Sequence, residues 1–229
     1  MSSEHVSHIL AVLLSWFGLF FISSNILLHF CPPSAHNIVP YIFFLLFPLD
    51  GILAVILFWR FILKKSWLDI KSNFVLPRNF WTFIIWMVLT WLTLSSIRLF
   101  SQKTPDLSST AFRLESSIFY SFYVFIGVTL VPIAEELFFR GVFLSILVKK
   151  CNIAFATVIV SLAFALIHAN YLTLTSAPVL WDRFSAFVVS VVLSVIFLKS
   201  KKLSVPIVCH SIYNLCVVIG WTIFFLLKI

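Results

Sequence analysis

The chain has 229 residues, of which 62% are hydrophobic and 10% are charged, and its mean hydropathy is +1.11. So apolar a composition excludes a soluble domain and indicates a polytopic membrane protein. The net charge of +8 does not indicate nucleic acid binding, because the lysines and arginines lie between apolar runs, where the positive-inside rule places them. The four cysteines show no CxxC spacing, so we expect no disulfide framework.

Seven apolar runs are each long enough to cross about 30 Å of hydrocarbon at roughly 1.5 Å per helical residue. They are residues 9–30, 38–63, 80–99, 117–148, 152–171, 179–198 and 203–227. The predicted fold class is therefore all-α, a polytopic transmembrane helical bundle of about seven spans. Residues 64–79 mix aromatic and basic side chains, which predicts a segment at the membrane interface. The polar residues 102–115 predict a loop.

The second run contains one acid, Asp50, two residues after Pro48. A proline inside a helix leaves one backbone carbonyl without its N–H partner. We expect Asp50 to be a hydrogen-bonded group that fills this gap, with a structural role.

The basic residues are distributed unequally between the two ends of the predicted spans. Ten of the 16 lysines and arginines fall in the connections on one side and five on the other, while Arg140 lies within a span. The richer side is predicted to be cytoplasmic, which places the N-terminus inside and the C-terminus outside.

The fourth run holds three ionisable residues, Glu135, Glu136 and Arg140, and no other charge between residues 117 and 148. Ionisable groups at this depth cost a few kcal/mol each and usually face a protein or water-lined interior. Glu136 and Arg140 are four residues apart and can form an ion pair on one helix face. Glu135 points about 100° away and has no local partner, which favours a functional role over a purely structural one. Pro132 predicts a kink just before the two glutamates.

Three further polar residues are predicted to lie at a similar depth. Measured by helical rise from the predicted cytoplasmic side, Glu135 is about 20 Å deep, His168 about 24 Å, His210 about 16 Å and Asn214 about 22 Å. A single histidine in a membrane helix is more often an interhelical hydrogen-bonding group. Four polar groups from three helices in one layer instead favour a site.

The chemistry that these residues suit is hydrolysis. A carboxylate and an imidazole can together hold and deprotonate a water molecule, and His210 and Asn214 could donate hydrogen bonds to an oxyanion. There is no HExxH motif and no pair of aspartates. One glutamate and two histidines could also bind Zn²⁺. The positive charge of Arg140 nearby argues against a dication, so no cofactor is expected, although the residues alone leave zinc open.

The sequence resembles the CAAX protease and bacteriocin-processing family of intramembrane glutamic endopeptidases, also called the Abi family. Its motifs are EExxxR, FxxxH and HxxxN, found here as Glu135-Glu136 with Arg140, Phe164 with His168, and His210 with Asn214. The resemblance divides the chain into N-terminal transmembrane helices with the interfacial segment, residues 1–116, and a catalytic core, residues 117–229. The glycine-poor sixth span is a departure from the family pattern.

The resemblance implies a residue-by-residue assignment of roles. Glu135 and His168 would activate water, His210 and Asn214 would stabilise the oxyanion, and Glu136, Arg140 and Phe164 would support them. The implied substrate is a peptide or a lipid-anchored protein at the bilayer, and no nucleic acid is expected. The short loops resemble a bacterial member, which implies a multi-pass protein of the bacterial cell membrane.

Two other functions stay open at this point. Family members in bacteria also confer bacteriocin immunity or act as scaffolds, so the alternative is a non-catalytic immunity or regulatory membrane protein. A proton-coupled transporter that uses Glu135 and His168 as a relay is disfavoured, because the sequence has no inverted repeat and no paired broken helices.

Overall fold

The computed structural model describes residues 3–30, 39–101, 117–168 and 177–227, and within these ranges the chain is helical without β-strands. The helices α1 to α10 are, in chain order, Ser3–Phe30, Val39–Leu57, Trp67–Ser72, Phe80–Ser101, Ser117–Val128, Leu130–Phe138, Ser145–Leu147, Ile153–Ile167, Ala177–Ser200 and Ser204–Leu227. Two π-helical turns lie between these helices. Phe58–Ile62 follows α2, and Phe139–Leu144 connects α6 to α7. The all-α prediction is confirmed, while the predicted loop at residues 102–115 lies outside the described residues.

The described helices include several candidate membrane spans. Among the described residues, four helical stretches are long and apolar enough to cross a membrane: Ser7–Ile26, Ile42–Ile62, Phe80–Arg98 and Leu180–Ser200. Two further apolar helices, Ile153–Ile167 and Ser204–Gly220, are shorter. The predicted count of seven is therefore not confirmed, although the helices are those of an integral membrane protein.

The fourth apolar run is interrupted before the two glutamates, as predicted, but the break lies at Thr129 rather than at Pro132. The Thr129 N–H donates to the carbonyls of Phe125 and Ile126, at 3.0 and 3.2 Å, and its hydroxyl donates to Phe125 at 2.6 Å. Pro132 then falls in the first turn of α6, where the lack of an N–H costs no helical hydrogen bond. The new helix start fixes the direction in which Glu135 projects.

The wide turn Phe139–Leu144 follows the end of α6 and contains Arg140. Such π-helical turns carry an extra residue and often occur at functional sites. Ser145 stabilises the turn, because its hydroxyl donates to the Arg140 carbonyl at 2.7 Å. A Cβ at Gly141 would lie 2.6 Å from Cζ2 of the buried Trp59, so the glycine allows the turn to pack against the π-helical turn that follows α2.

The main hydrophobic core combines residues from both halves of the chain. It includes Val12 of α1, Val55 of α2 and Leu137 of α6, all fully buried, together with Val160 of α8 and Leu203 before α10. The core thus crosses the boundary at residue 116, and the division into two segments remains a prediction.

Asp50 joins α1 to α2. The Ser23 hydroxyl donates to Asp50 Oδ2 at 2.7 Å, and one turn away Trp16 Nε1 donates to the Phe47 carbonyl at 2.7 Å. The carboxylate therefore acts as an interhelical hydrogen-bond acceptor, consistent with the structural role that its position next to Pro48 suggested.

Two interactions link connections that the charge count places on the richer side. Burial and the charge of Lys149 lower the pKa of Lys65, and only Asp69 opposes this shift. Lys202 Nζ donates to the Ser72 carbonyl at 2.8 Å, which fastens the start of α10 to the end of α3. On α3 the side chains of Trp67 and Leu68 are 61% and 79% exposed, as expected of an interfacial helix.

Candidate active site

The centre of the site is an ion pair between Glu136 on α6 and Arg140 in the π-helical turn. Arg140 Nη1 lies 2.8 Å from Glu136 Oε1, and both side chains are completely buried. The spacing of four residues on one helix predicted this pair, and the structure confirms it. Removing either partner would leave an uncompensated charge in the core.

Arg140 also has partners outside its own helix. Its Nη2 donates to the carbonyl and to the hydroxyl of Ser190 on α9, at 2.8 and 2.9 Å. The guanidinium carbon lies 5.2 Å from the ring centre of Phe164 on α8. The buried cation is thus held by α6, α8 and α9 together.

His210 on α10 contacts both glutamates. Its Nδ1 lies 2.9 Å from Glu136 Oε1, and its Nε2 lies 3.7 Å from Glu135 Oε2. Because the ionised Glu136 can only accept, the proton of this hydrogen bond belongs to Nδ1. In the neutral form of the ring, Nε2 then carries the lone pair and faces Glu135.

His168 approaches Glu135 from the C-terminal end of α8. It caps the C-terminus of α8, and its Nδ1 donates to the Phe164 carbonyl at 2.8 Å. Its ring stacks on the Phe164 ring, with the centres 4.1 Å apart and the planes at 24°. Its Nε2 lies 3.6 Å from Glu135 Oε1 and carries the lone pair when the ring is neutral.

Phe164 is the common packing partner of these groups. Besides His168 and Arg140, its ring packs at 5.0 Å from Phe139 and at 5.8 Å from His210, measured between centres. The FxxxH spacing therefore has a physical basis, because the phenylalanine supports the histidine one turn later through both its ring and its backbone carbonyl.

Access to the site decreases from His168 inward. The side chain of His168 is 33% exposed and that of Glu135 13%, whereas His210 is 5% exposed and Glu136 is fully buried. Glu135 thus lies between the accessible imidazole of His168 and the buried ion pair of Glu136 with Arg140. Its Oε2 is buried and has no hydrogen-bond partner within the described residues.

Asn214, the fourth residue predicted to act in catalysis, contacts α5. Its amide Nδ2 donates to the Gly127 carbonyl on α5 at 2.9 Å. This bond fastens α10 to the last turn of α5, just before the break at Thr129. The structure therefore brings together Glu135, His168 and His210, with Glu136, Arg140 and Phe164 behind them, and places Asn214 against α5.

Ser190 was not predicted from the sequence. A serine inside an apolar helix carries little information on its own. The available signal was the spacing of Ser190 and Ser194, which are four residues apart on one face of α9 and both fully buried. In the part of the chain that the structure describes, no group of three His, Cys, Asp or Glu side chains is arranged to hold a metal ion.

Comparison with known proteins supports the motif assignment. Residues 117–216 match the family model described as Rce1-like, type II CAAX prenyl endopeptidase. This segment is similar to the type II CAAX prenyl endopeptidases. The matched residues include all three motifs, from Glu135 to Asn214, and the family is one of proteases. Searches of curated proteins and of solved structures gave no match.

Proposed function

We propose that this CAAX-type protein is an intramembrane endopeptidase that hydrolyses a peptide bond of a membrane-associated protein or peptide. The observation that carries the proposal is the approach of two imidazole Nε2 atoms to one carboxylate, 3.6 Å and 3.7 Å from the two oxygens of Glu135. These distances are longer than a direct hydrogen bond, and with both rings neutral and the carboxylate ionised all three groups are acceptors. A water molecule, which donates twice, is the ligand that such a set of acceptors suits.

The proposed reaction begins at Glu135. Its carboxylate takes a proton from the water while the water oxygen forms a bond to the carbonyl carbon of the substrate. His168 Nε2 accepts the second O–H and so orients the attacking lone pair. When the C–N bond breaks, Glu135 passes its proton to the leaving nitrogen, which restores the carboxylate and produces an acid and an amine.

The tetrahedral intermediate requires hydrogen-bond donors for its oxyanion. With its proton on Nδ1, His210 Nε2 is an acceptor, and it donates to the oxyanion only when the ring is protonated. Asn214 has a second amide N–H beside the one bonded to Gly127, and this N–H is its available donor. Glu136 and Arg140 keep the imidazole in place without contacting the substrate.

The proposed substrate class is based on the side from which the site is exposed and on the family model that the sequence matches. A peptide bond must reach Glu135 from the side of His168, where the site is exposed. A peptide segment in or at the bilayer meets this requirement. The name of the matching family suggests lipid-modified C-terminal peptides as one group of substrates to test. The bacterial cell membrane remains a prediction from the resemblance.

The test is cleavage by the purified full-length protein in proteoliposomes. We expect hydrolysis of at least one member of a panel that contains farnesylated CAAX peptides and unmodified membrane peptides. The rate should be the same after treatment with a chelator, because Glu135 and His168 supply the chemistry without a metal. Loss of cleavage with the chelator and its return with Zn²⁺ would replace this mechanism with a metal-dependent one. A complete absence of cleavage would favour the immunity or regulatory role.

A further inference from the structure

A continuous chain of buried hydrogen bonds runs from α9 to His210. It starts at Ser190, whose carbonyl and hydroxyl accept from Arg140 Nη2 at 2.8 and 2.9 Å. It continues through Arg140 Nη1 to Glu136 Oε1 at 2.8 Å, and from the same oxygen to His210 Nδ1 at 2.9 Å. Ser190, Arg140 and Glu136 are fully buried, so water does not compete for these bonds.

One oxygen atom couples the two halves of this chain. Glu136 Oε1 accepts from both Arg140 and His210, while Glu136 Oε2 has no partner within the described residues. A rotation of the carboxylate that improves one bond therefore weakens the other. The position of the guanidinium consequently determines the position of the imidazole.

The guanidinium itself has few other restraints. Arg140 Nε is buried without a hydrogen-bond partner in the described part of the chain, so the two Nη groups carry the polar contacts. Phe164 offers only its ring face, 5.2 Å away. Ser190 supplies both acceptors on the side of Arg140 that faces away from Glu136.

We propose that Ser190 is a positioning residue of the site, because its hydroxyl fixes Arg140 and, through Glu136, keeps the proton of His210 on Nδ1. The inference rests on the proposed function for its effect on catalysis, but the proton position can be measured independently of catalysis. None of the three motifs includes α9, so this assigns that helix a part in the site.

The proposal is tested with Ser190→Ala and with the matched variant Ser194→Ala. Ser194 is also fully buried on α9, one turn later, and its hydroxyl has no partner among the described residues. The full-length protein is labelled with ¹⁵N-histidine, and His210→Asn assigns the His210 signals. We expect the ratio of Nδ1–H to Nε2–H tautomers of His210 to fall about fivefold in Ser190→Ala and to stay at the wild-type value in Ser194→Ala.

An unchanged ratio in Ser190→Ala, or an equal change in both variants, would overturn the proposal. Ser190→Cys keeps a side chain of similar size with a weak acceptor, and it replaces the alanine variant if that protein does not fold. In the cleavage assay Ser190→Ala should lower kcat about tenfold at unchanged KM. If the wild-type protein cleaves nothing, the proposed function fails while the tautomer measurement still decides the role of Ser190.

Discussion

Glu135→Gln is expected to lower kcat by about 10³-fold or more while the fold stays intact. The amide has the same shape as the carboxylate but cannot take a proton from water, and a positioned general base contributes about 10²–10⁴-fold. Both histidine contacts of Glu135 exceed 3.5 Å, and the ion pair in the core belongs to Glu136. The thermal midpoint of Glu135→Gln should therefore remain close to that of the wild type.

The matched control is Asp50→Asn, which makes the same chemical change on a carboxylate in the membrane-spanning part of α2. Asp50 accepts a hydrogen bond from Ser23 and lies outside the site, so its amide should retain nearly full cleavage activity. Wild-type kcat in Glu135→Gln would remove Glu135 from the mechanism. Equal losses in both variants would mean that the membrane carboxylates matter only for structure.

Glu136→Ala should have the largest effect on stability. The substitution leaves the Arg140 cation in the core without its carboxylate, and it also removes the partner of His210 Nδ1. Breaking one side of a buried ion pair typically costs about 3–5 kcal/mol of unfolding free energy. We expect the loss to appear as a reduced denaturation midpoint and reduced yield of folded protein in detergent, together with loss of cleavage.

Two further variants separate the structural and chemical parts of that effect. Glu136→Ala combined with Arg140→Met removes both charges and should regain most of the stability, but it should stay inactive because His210 is still unsupported. Asp182→Asn removes the partner of Arg98 in a partly exposed pair of 3.3 Å and should cost about 1 kcal/mol or less. The account of the core pair is contradicted if Glu136→Ala is as stable as Asp182→Asn.

Features governed by short-range spacing could be predicted from the sequence. The i,i+4 spacing of Glu136 and Arg140 defines a pair on one helix face, and this pair is present. Helical rise placed Glu135, His168 and His210 at similar heights, and their side chains do meet. Both arguments use only the geometry of a single helix, which tertiary packing changes little.

Features set by contacts between helices could not be predicted. Asn214 is offset by about 40° from His210 around α10, and its amide donates to the Gly127 carbonyl on α5. The bond from Arg140 to Ser190 depends on how α9 packs against the π-helical turn, and the sequence shows no periodicity for that turn. Apolarity alone also does not reveal a break within an apolar run, such as that at Thr129.

The central claim is that Glu135 and His168 act on the same water molecule. Kinetics of Glu135→Gln, His168→Ala and the double variant test it most directly, because residues that serve one step show strongly non-additive losses. We predict that kcat of the double variant stays within about threefold of the slower single variant. If the loss of kcat in the double variant equals the product of the two single losses, the claim is contradicted, and the carboxylate and the imidazole act separately.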